Sequence, residues 1–334
     1  MLQELLNKRN LPPLLSREEM LELLQREEYG YLPPKPNKLT WKKEEDTIRR
    51  YYAGKATYNE AVLTSQIGVK EFSFPIKYVL PTAKGPHPFF IHINFRPDEP
   101  DRYQPTEELI DHGYGVFSFC YRDITSDDED FTNGLAGVLY EGGKRASHDA
   151  GKIALWAWAA QRVLDFAETI PGLDFERAIV CGHSRLGKTA LLAAATDLRF
   201  YCAHSNDSGC SGAALSRGKE GETIEKICRK FPFWFCENYA SYAGKEEEMP
   251  FDQHFLLASI APRLVHVSSA KEDLWADPES EFLNCVSVGL TAEDRLPLAG
   301  DRFHEGRIGY DLREGQHSFS REDWLNLITF LKNR

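Results

Sequence analysis

Short apolar runs broken by Pro, Gly and Asp alternate along the chain with stretches whose apolar residues recur at helical spacing. FSFPIKYVL (72–80), PFFIHINF (88–95) and YGVFSFCYR (114–122) predict strands. From His148 to Thr169, the spacing of Ile153, Leu155, Trp156, Val163, Leu164 and Phe166 predicts a helix. Beyond it the pattern gives a strand at 178–182, a helix at 187–197, a strand at 200–205, a helix at 251–260 and a strand at 263–269. A helical segment near 278–288, a short strand near 306–311 and a final helix from Arg321 complete the series. Strands alternating with helices imply an α/β fold, with a mostly parallel sheet covered by helices on both faces.

Before this series, residues 1–35 carry a helical pattern that starts at Ser16, an N-cap with Glu19 three residues later, and runs through Leu21, Leu23 and Leu24. It stops at YLPPKP, which reads as a hinge and divides the chain into an N-terminal helical extension, 1–35, and a main domain, 36–334. Residues 123–147 read as a long irregular loop, and the acid run Asp127 to Asp130 within it as a solvated surface.

Composition narrows the classes. With 334 residues, 42% of them hydrophobic, the chain can bury a full core. A net charge of −11 with no Lys/Arg cluster argues against a nucleic acid or an anionic membrane surface as partner. The start, MLQELLNKRNLPPLL, has no basic segment followed by a sustained apolar run. The seven cysteines form no C-x-x-C pair, which suits free thiols in a reducing compartment better than a disulfide frame or a zinc site. The expectation is a cytoplasmic protein; composition sets no oligomeric state.

The chemistry turns on AIVCGHSRLGKTALLAAA, Ala178 to Ala195. Gly182 to Thr189 spells G-x-x-x-x-G-K-T, the pattern of a phosphate-cradling loop, while Ser184 stands where a hydrolase places its nucleophile between strand and helix. A phosphate loop normally needs a later strand that ends in an acid to position Mg²⁺, and RLVHVSS (263–269) ends in serines. A serine needs a base and an orienting carboxylate, in α/β-hydrolases following in the order Ser, acid, His. That order is present. After Ser184 come Asp207 in SNDSGCSG, then Asp273 and Asp277 in SAKEDLWADP, then His317 in REGQHSFS. Each residue also has a plain structural use: Ser184 or His317 as a helix cap, Asp207 as an Asx-turn residue. His254 sits on a half-apolar helical segment and is expected to pack, and His183 to point away from its neighbour Ser184.

The second glycine comes at 187, one residue later than in G-x-S-x-G. The resulting G-x-S-R-x-G-K resembles the signature of glucuronoyl esterases, α/β-hydrolases that cleave esters of 4-O-methyl-glucuronic acid. The likeness extends to WAWAAQRVLDF, SNDSGCSGAA, PFDQHFLLASIAPR and LWADP, over roughly residues 145–320, and is nearer to bacterial members than to fungal ones. The resemblance implies an α/β-hydrolase fold for 36–334 and hydrolysis of a carbohydrate ester, uronoyl or acetyl, without cofactor or metal. It implies Ser184 as nucleophile, His317 as base, Asp207 as principal acid, and Asp273 or Asp277 at a second acid location. Arg185 matches a residue that helps bind the oxyanion, Lys188 one that contacts sugar hydroxyls, Trp275 a substrate-facing tryptophan, and Glu222, loosely, a polar sugar contact. His183 stands where fungal members carry a disulfide cysteine. The physics agrees on one point: a helix starting after Ser184 offers the Arg185 amide to a developing oxyanion, a donor worth roughly 3–4 kcal/mol of barrier. The expected partner is therefore a small carbohydrate ester or oligosaccharide, and the rival readings are an acetyl-sugar esterase, a non-catalytic sugar-binding relic and a nucleotide binder.

Overall fold

The computed structural model describes residues 1–43, 49–98 and 101–334. The strands are β1 (Lys38–Lys43), β2 (Arg49–Tyr51), β3 (Ala56–Ile67), β4 (Lys70–Pro81), β5 (His87–Asn94), β6 (Gly115–Cys120), β7 (Leu173–His183), β8 (Cys202–Asn206), β9 (Leu264–Ala270), β10 (Arg302–Phe303) and β11 (Ile308–Arg313). They form one sheet in the order β1-β3-β4-β6-β5-β7-β8-β9-β11-β10, with β2 on β3. Pairing is parallel from β6 through β5, β7, β8 and β9 to β11, and antiparallel at both margins. The helices are α1 (Leu2–Arg9), α2 (Arg17–Leu24), α3 (Thr106–Asp111), α4 (Gly134–Leu139), α5 (Lys152–Ala167), α6 (Arg185–Thr196), α7 (Ile224–Lys230), α8 (His254–Ile260), α9 (Pro278–Ser287) and α10 (Arg321–Lys332).

The central strands are apolar throughout because both faces are covered. Along β7, Ala178 and Val180 enter the core beneath α5 and α6, while Ile179 and Cys181 enter a second core with Leu109 of α3 and Trp324, Leu327 and Ile328 of α10. This period of two, with a helix layer on each side, is the three-layer α/β-hydrolase sandwich. Every residue of α5 except Asp165 is buried, so the helix is covered by protein nearly all round. The elements expected from 72 onward all form. The antiparallel margin of β1, β2 and β3 and the short helices α1, α3, α4 and α7 are additional. No helix among the described residues is long and apolar enough to cross a membrane, and all seven cysteines are free.

The N-terminal segment, read as a helical extension that stops at a hinge, forms its helices and packs them on the main domain. The capping box of α2 forms as read, Ser16 Oγ accepting from the Glu19 amide at 3.3 Å and the Glu19 carboxylate from the Ser16 amide at 3.0 Å. However, Leu2, Met20, Leu24 and Tyr29 are buried in the main core. Tyr29 donates its hydroxyl to the Ser211 carbonyl at 2.8 Å, and its own carbonyl accepts from Gly151 at 2.9 Å. Apolar residues at i, i+3 and i+4 need a surface to cover, and here they cover the α8 side of the main domain rather than each other.

Glu28 is fully buried, and Gln253 Nε2 donates to both of its oxygens at 2.9 and 2.8 Å. Burial pushes its pKa up to about 8 from the ordinary 4.5. The fold thus favours the protonated acid: this contribution to stability is complete below pH 4.5 and is lost as pH rises through about 8. Thermal midpoints of wild type and Glu28→Gln measured across this window are expected to converge at low pH and to separate above neutrality, the variant holding its stability better. Parallel profiles would show that Glu28 is ionised throughout.

Candidate active site

Four adjacent parallel strands, β7, β8, β9 and β11, end on the same side of the sheet, and each delivers a polar residue to one cavity there. Ser184 follows β7 with φ 58° and ψ −127°, a conformation that a non-glycine residue holds only under tertiary constraint. The constraint includes the Ser184 amide donating to the Asn206 carbonyl at 2.8 Å. A Cβ on Gly182 would lie 2.2 Å from the Leu186 carbonyl oxygen, and one on Gly187 would lie 2.9 Å from Ser205 Oγ. These contacts explain the displaced glycine. Position 187 is the one pressed against the residues of β8, whereas Leu186 is buried in the apolar core. The Arg185 amide opens α6, so no carbonyl one turn earlier receives it.

His317 lines the same cavity, of about 320 Å³, as Ser184. Its Nδ1 lies 2.6 Å from Asp273 Oδ2. Burial alone would raise the Asp273 pKa, but the hydrogen bond and charge of His317 outweigh it and hold the carboxyl below its ordinary value. Behind His317, the His183 ring packs with centroids 4.4 Å apart and its Nδ1 is 2.6 Å from Asn206 Oδ1. Burial, then the charge of His317, pushes the His183 pKa down to about 3, so this ring stays neutral.

The ranking that puts Asp207 first does not match these contacts. Asp207, Asp273 and His317 each bring a ligand-type atom within 4.8 Å of the others, so Asp207 is near the imidazole, but its oxygens are spent elsewhere. Oδ1 accepts from the Ala270 amide at 2.7 Å; Oδ2 accepts from Arg313 Nη2 at 3.2 Å and from the Ser318 amide at 3.3 Å. Asp277 is likewise committed away from His317: with φ 68°, it caps α9, accepting from the Ser280 amide at 3.1 Å, from Ser280 Oγ at 2.6 Å and from the Glu220 amide at 2.9 Å. The helix that begins at Pro278 needs that cap.

On the opposite wall, Arg185 stacks on Trp234, its guanidinium carbon 4.6 Å from the ring centre, and donates to Asp127. Asp127 also accepts from Trp234 Nε1 and Tyr121 Oη, each at 2.8 Å. The acid run is thus not uniformly solvated. Asp128, Glu129 and Asp130 are exposed, whereas the Asp127 side chain is 7% exposed and anchors the arginine. Nothing local in the sequence separates it from its neighbours. Lys188 is buried, its ammonium donating to the Ser208 and Cys210 carbonyls and lying 3.9 Å from Glu222. It is neither a solvated helix lysine nor free to cradle a phosphate. Glu222 in turn accepts from Trp275 Nε1 at 3.1 Å. Lys188, Glu222 and Trp275 thereby make one polar and aromatic wall. His254 packs as expected, Nε2 2.9 Å from the Pro12 carbonyl.

The family model described as "Glucuronyl esterase, fungi" matches residues 63–292. A carbohydrate esterase from an unknown prokaryotic organism is 40% identical over 67% of this chain and 54% of its own length. The 4-O-methyl-glucuronoyl methylesterase of Hypocrea jecorina is 30% identical over 87% of this chain and 59% of its own. The chain therefore spans somewhat more than half the length of these curated relatives. Among solved structures, the glucuronoyl esterase from Solibacter usitatus superposes with a TM-score of 0.86 at 29% identity, covering 95% of this chain and 91% of that one. A promiscuous esterase of carbohydrate esterase family 15 from a marine bacterial metagenome gives 0.83 at 31%, covering 95% and 90%.

The contacts of the two carboxylates predict a reactivity order that needs no substrate. A serine-directed fluorophosphonate is expected to label wild type and not Ser184→Ala. Asp273→Asn is expected to slow labelling far more than Asp207→Asn, approaching the loss of about 10⁴ typical when a triad acid is neutralised. The reverse order in stopped-time labelling would return the acid to β8.

Proposed function

Since the chain belongs to the glucuronoyl esterase family of α/β-hydrolases, we propose that it is a serine carboxylic-ester hydrolase whose substrate is a carbohydrate ester, with a (4-O-methyl-)glucuronoyl ester first. One observation carries the reading: a serine on a positive-φ elbow shares its cavity with an imidazole whose far nitrogen is bound by a carboxylate. In this mechanism His317 Nε2 takes the Ser184 proton as Oγ attacks the ester carbon, and Asp273 holds the Nδ1–H tautomer and offsets the imidazolium charge. The tetrahedral oxyanion is met by the Arg185 amide, with the Asp127-anchored guanidinium alongside. The alcohol leaves with the proton from His317. Water, deprotonated by the same imidazole, then releases the acid from Ser184.

The wall opposite suits the sugar. Lys188 and Glu222 offer a donor and an acceptor for adjacent hydroxyls, and Trp275, half-exposed, offers an apolar face to a pyranose ring. This polar pair favours the uronoyl reading, because there the sugar is the acyl group and must be held beside Ser184 throughout. An acetyl-enzyme would leave the wall without a ligand after the first step.

Purified protein is expected to hydrolyse benzyl glucuronate faster than an acetylated sugar, with activity abolished in Ser184→Ala. Faster release of acetate would replace the uronoyl assignment with the acetyl one. No turnover of either ester, together with no covalent labelling, would favour a non-catalytic relic. Asp127→Asn, which frees Arg185 while preserving shape, is expected to lower kcat by up to about 10², the lower range for loss of an oxyanion donor, with little change in KM. An unchanged kcat would remove Arg185 from the transition state.

A further inference from the structure

A second cluster of ligand-type side chains lies away from the catalytic cavity. His266 from the middle of β9, Asp311 from β11 and His304, just after β10, each bring one ligand-type atom within 4.8 Å of the others. His266 Nε2 is 2.8 Å from Asp311 Oδ2, and His304 Nε2 is 2.8 Å from Oδ1. A glycine on β11 makes the space: a Cβ on Gly309 would lie 2.8 Å from the His266 ring and 2.7 Å from Phe330.

Two observations point to a ligand here. First, His266 Nε2 and Asp311 Oδ2 are sealed from solvent and close together, yet neither makes an aligned hydrogen bond. Second, His266 Nδ1 lies 2.9 Å from His204 Nδ1, a contact that is favourable only if one ring carries the proton and the other accepts it. With the proton on His266, its Nε2 is a bare lone pair facing a carboxylate oxygen, an arrangement that a cation between them relieves; with the proton on His204, the His266 Nε2–H faces the carboxylate instead. An imidazole that donates its far N–H to a buried acceptor is also the usual support of a metal-bound histidine.

We propose that His266, His304 and Asp311 form a site for a divalent transition metal, zinc fitting best, which pins the 291–305 segment to the edge of the sheet. Two imidazoles and one carboxylate suit Zn²⁺ and disfavour Mg²⁺ or Ca²⁺, which take oxygen ligands. Bonds of about 2.05 Å in a tetrahedron place ligand atoms about 3.3 Å apart, so with one Asp311 oxygen bound the 2.8 Å His266–Asp311 pair opens by about half an ångström on binding. His304 also lines an open cavity of about 460 Å³ with Asp301 and Glu305, which provides the entry path and the water for the fourth position. The metal is structural and separate from the ester chemistry. The rival account is a histidine–aspartate–histidine chain bridged by protons alone.

The full chain, stripped with chelator and dialysed, is titrated with Zn²⁺ by calorimetry and with Co²⁺ as a visible-absorption probe. Expected are one equivalent per chain, the intense bands of a four-coordinate Co²⁺ site and a thermal midpoint that rises with Zn²⁺. His304→Ala, at the accessible edge, and Asp311→Asn are each expected to weaken binding at least about tenfold and to abolish the Zn²⁺-dependent rise. His317→Ala, which disables the other His/Asp cluster, is expected to keep both. No binding at micromolar Zn²⁺ in wild type, binding unchanged in His304→Ala and Asp311→Asn, or binding lost in His317→Ala would each overturn the proposal.

Discussion

One buried guanidinium holds the site together. Arg313, the last residue of β11, donates to the Gln316 and Ser318 carbonyls on either side of His317, to Asp207 at the end of β8 and to Asp323 in the first turn of α10. The loop that carries the imidazole is therefore fastened at both flanks to a rigid strand, and that strand to its neighbours. A buried ion pair adds little net stability compared with apolar packing, because both charges lose water. Its contribution here is geometric: it allows one loop conformation and fixes where the imidazole sits. Removing one partner leaves the other charge buried, a loss of about 3–5 kcal/mol.

That ion pair also explains which carboxylate meets the histidine. Strand ends in a parallel sheet are about 4.8 Å apart, so acids after β8 and after β9 both come within reach of an imidazole from β11. Proximity does not choose between them; prior commitment does. Asp207 has the Ala270 amide and Arg313 to satisfy, Asp277 has a helix to cap, and Asp273 has one oxygen left for His317. Chain order restricts the acid to these few residues. The competing donors come from β9, β11 and α9, positions distant in sequence that only the tertiary structure assembles.

The same distinction separates what the sequence discloses from what it hides. The parallel centre is legible because strands buried on both faces must be apolar throughout, and the elbow because a tight strand-to-helix turn demands glycines. The capping box at Ser16 is legible because both partners lie within four residues. By contrast, β3 points Ala56, Ala61 and Ser65 inward and carries Thr57, Asn59 and Thr64 between its apolar residues, so its alternation has little contrast. Asp127 differs from Asp128 in having Arg185, Trp234 and Tyr121 above it, the first two brought there by long-range folding. The N-terminal helices look independent in sequence because a proline-rich stretch follows them, yet the surface they cover is built by residues more than 180 positions away.

A further consequence follows from the polar residues in the middle of the sheet. His204, Asn206, His266, Ser268 and Asp311 sit on adjacent central strands where an apolar side chain would be the ordinary choice, and all are buried. Their partnerships run in two series: His183 to Asn206 to Ser268 through hydrogen bonds, and His204 to His266, whose far nitrogen faces Asp311 at 2.8 Å. Groups linked in this way behave as units, so a substitution in one is felt by the next through an unsatisfied donor or acceptor rather than through lost packing. The apolar faces above and below can absorb changes of volume by local repacking. The polar seam cannot, because no nearby group can replace a missing proton or lone pair. The β7–β8–β9–β11 region is thus where the fold tolerates least, and Ser184 and His317 sit at its open end, where the same rigidity fixes their positions.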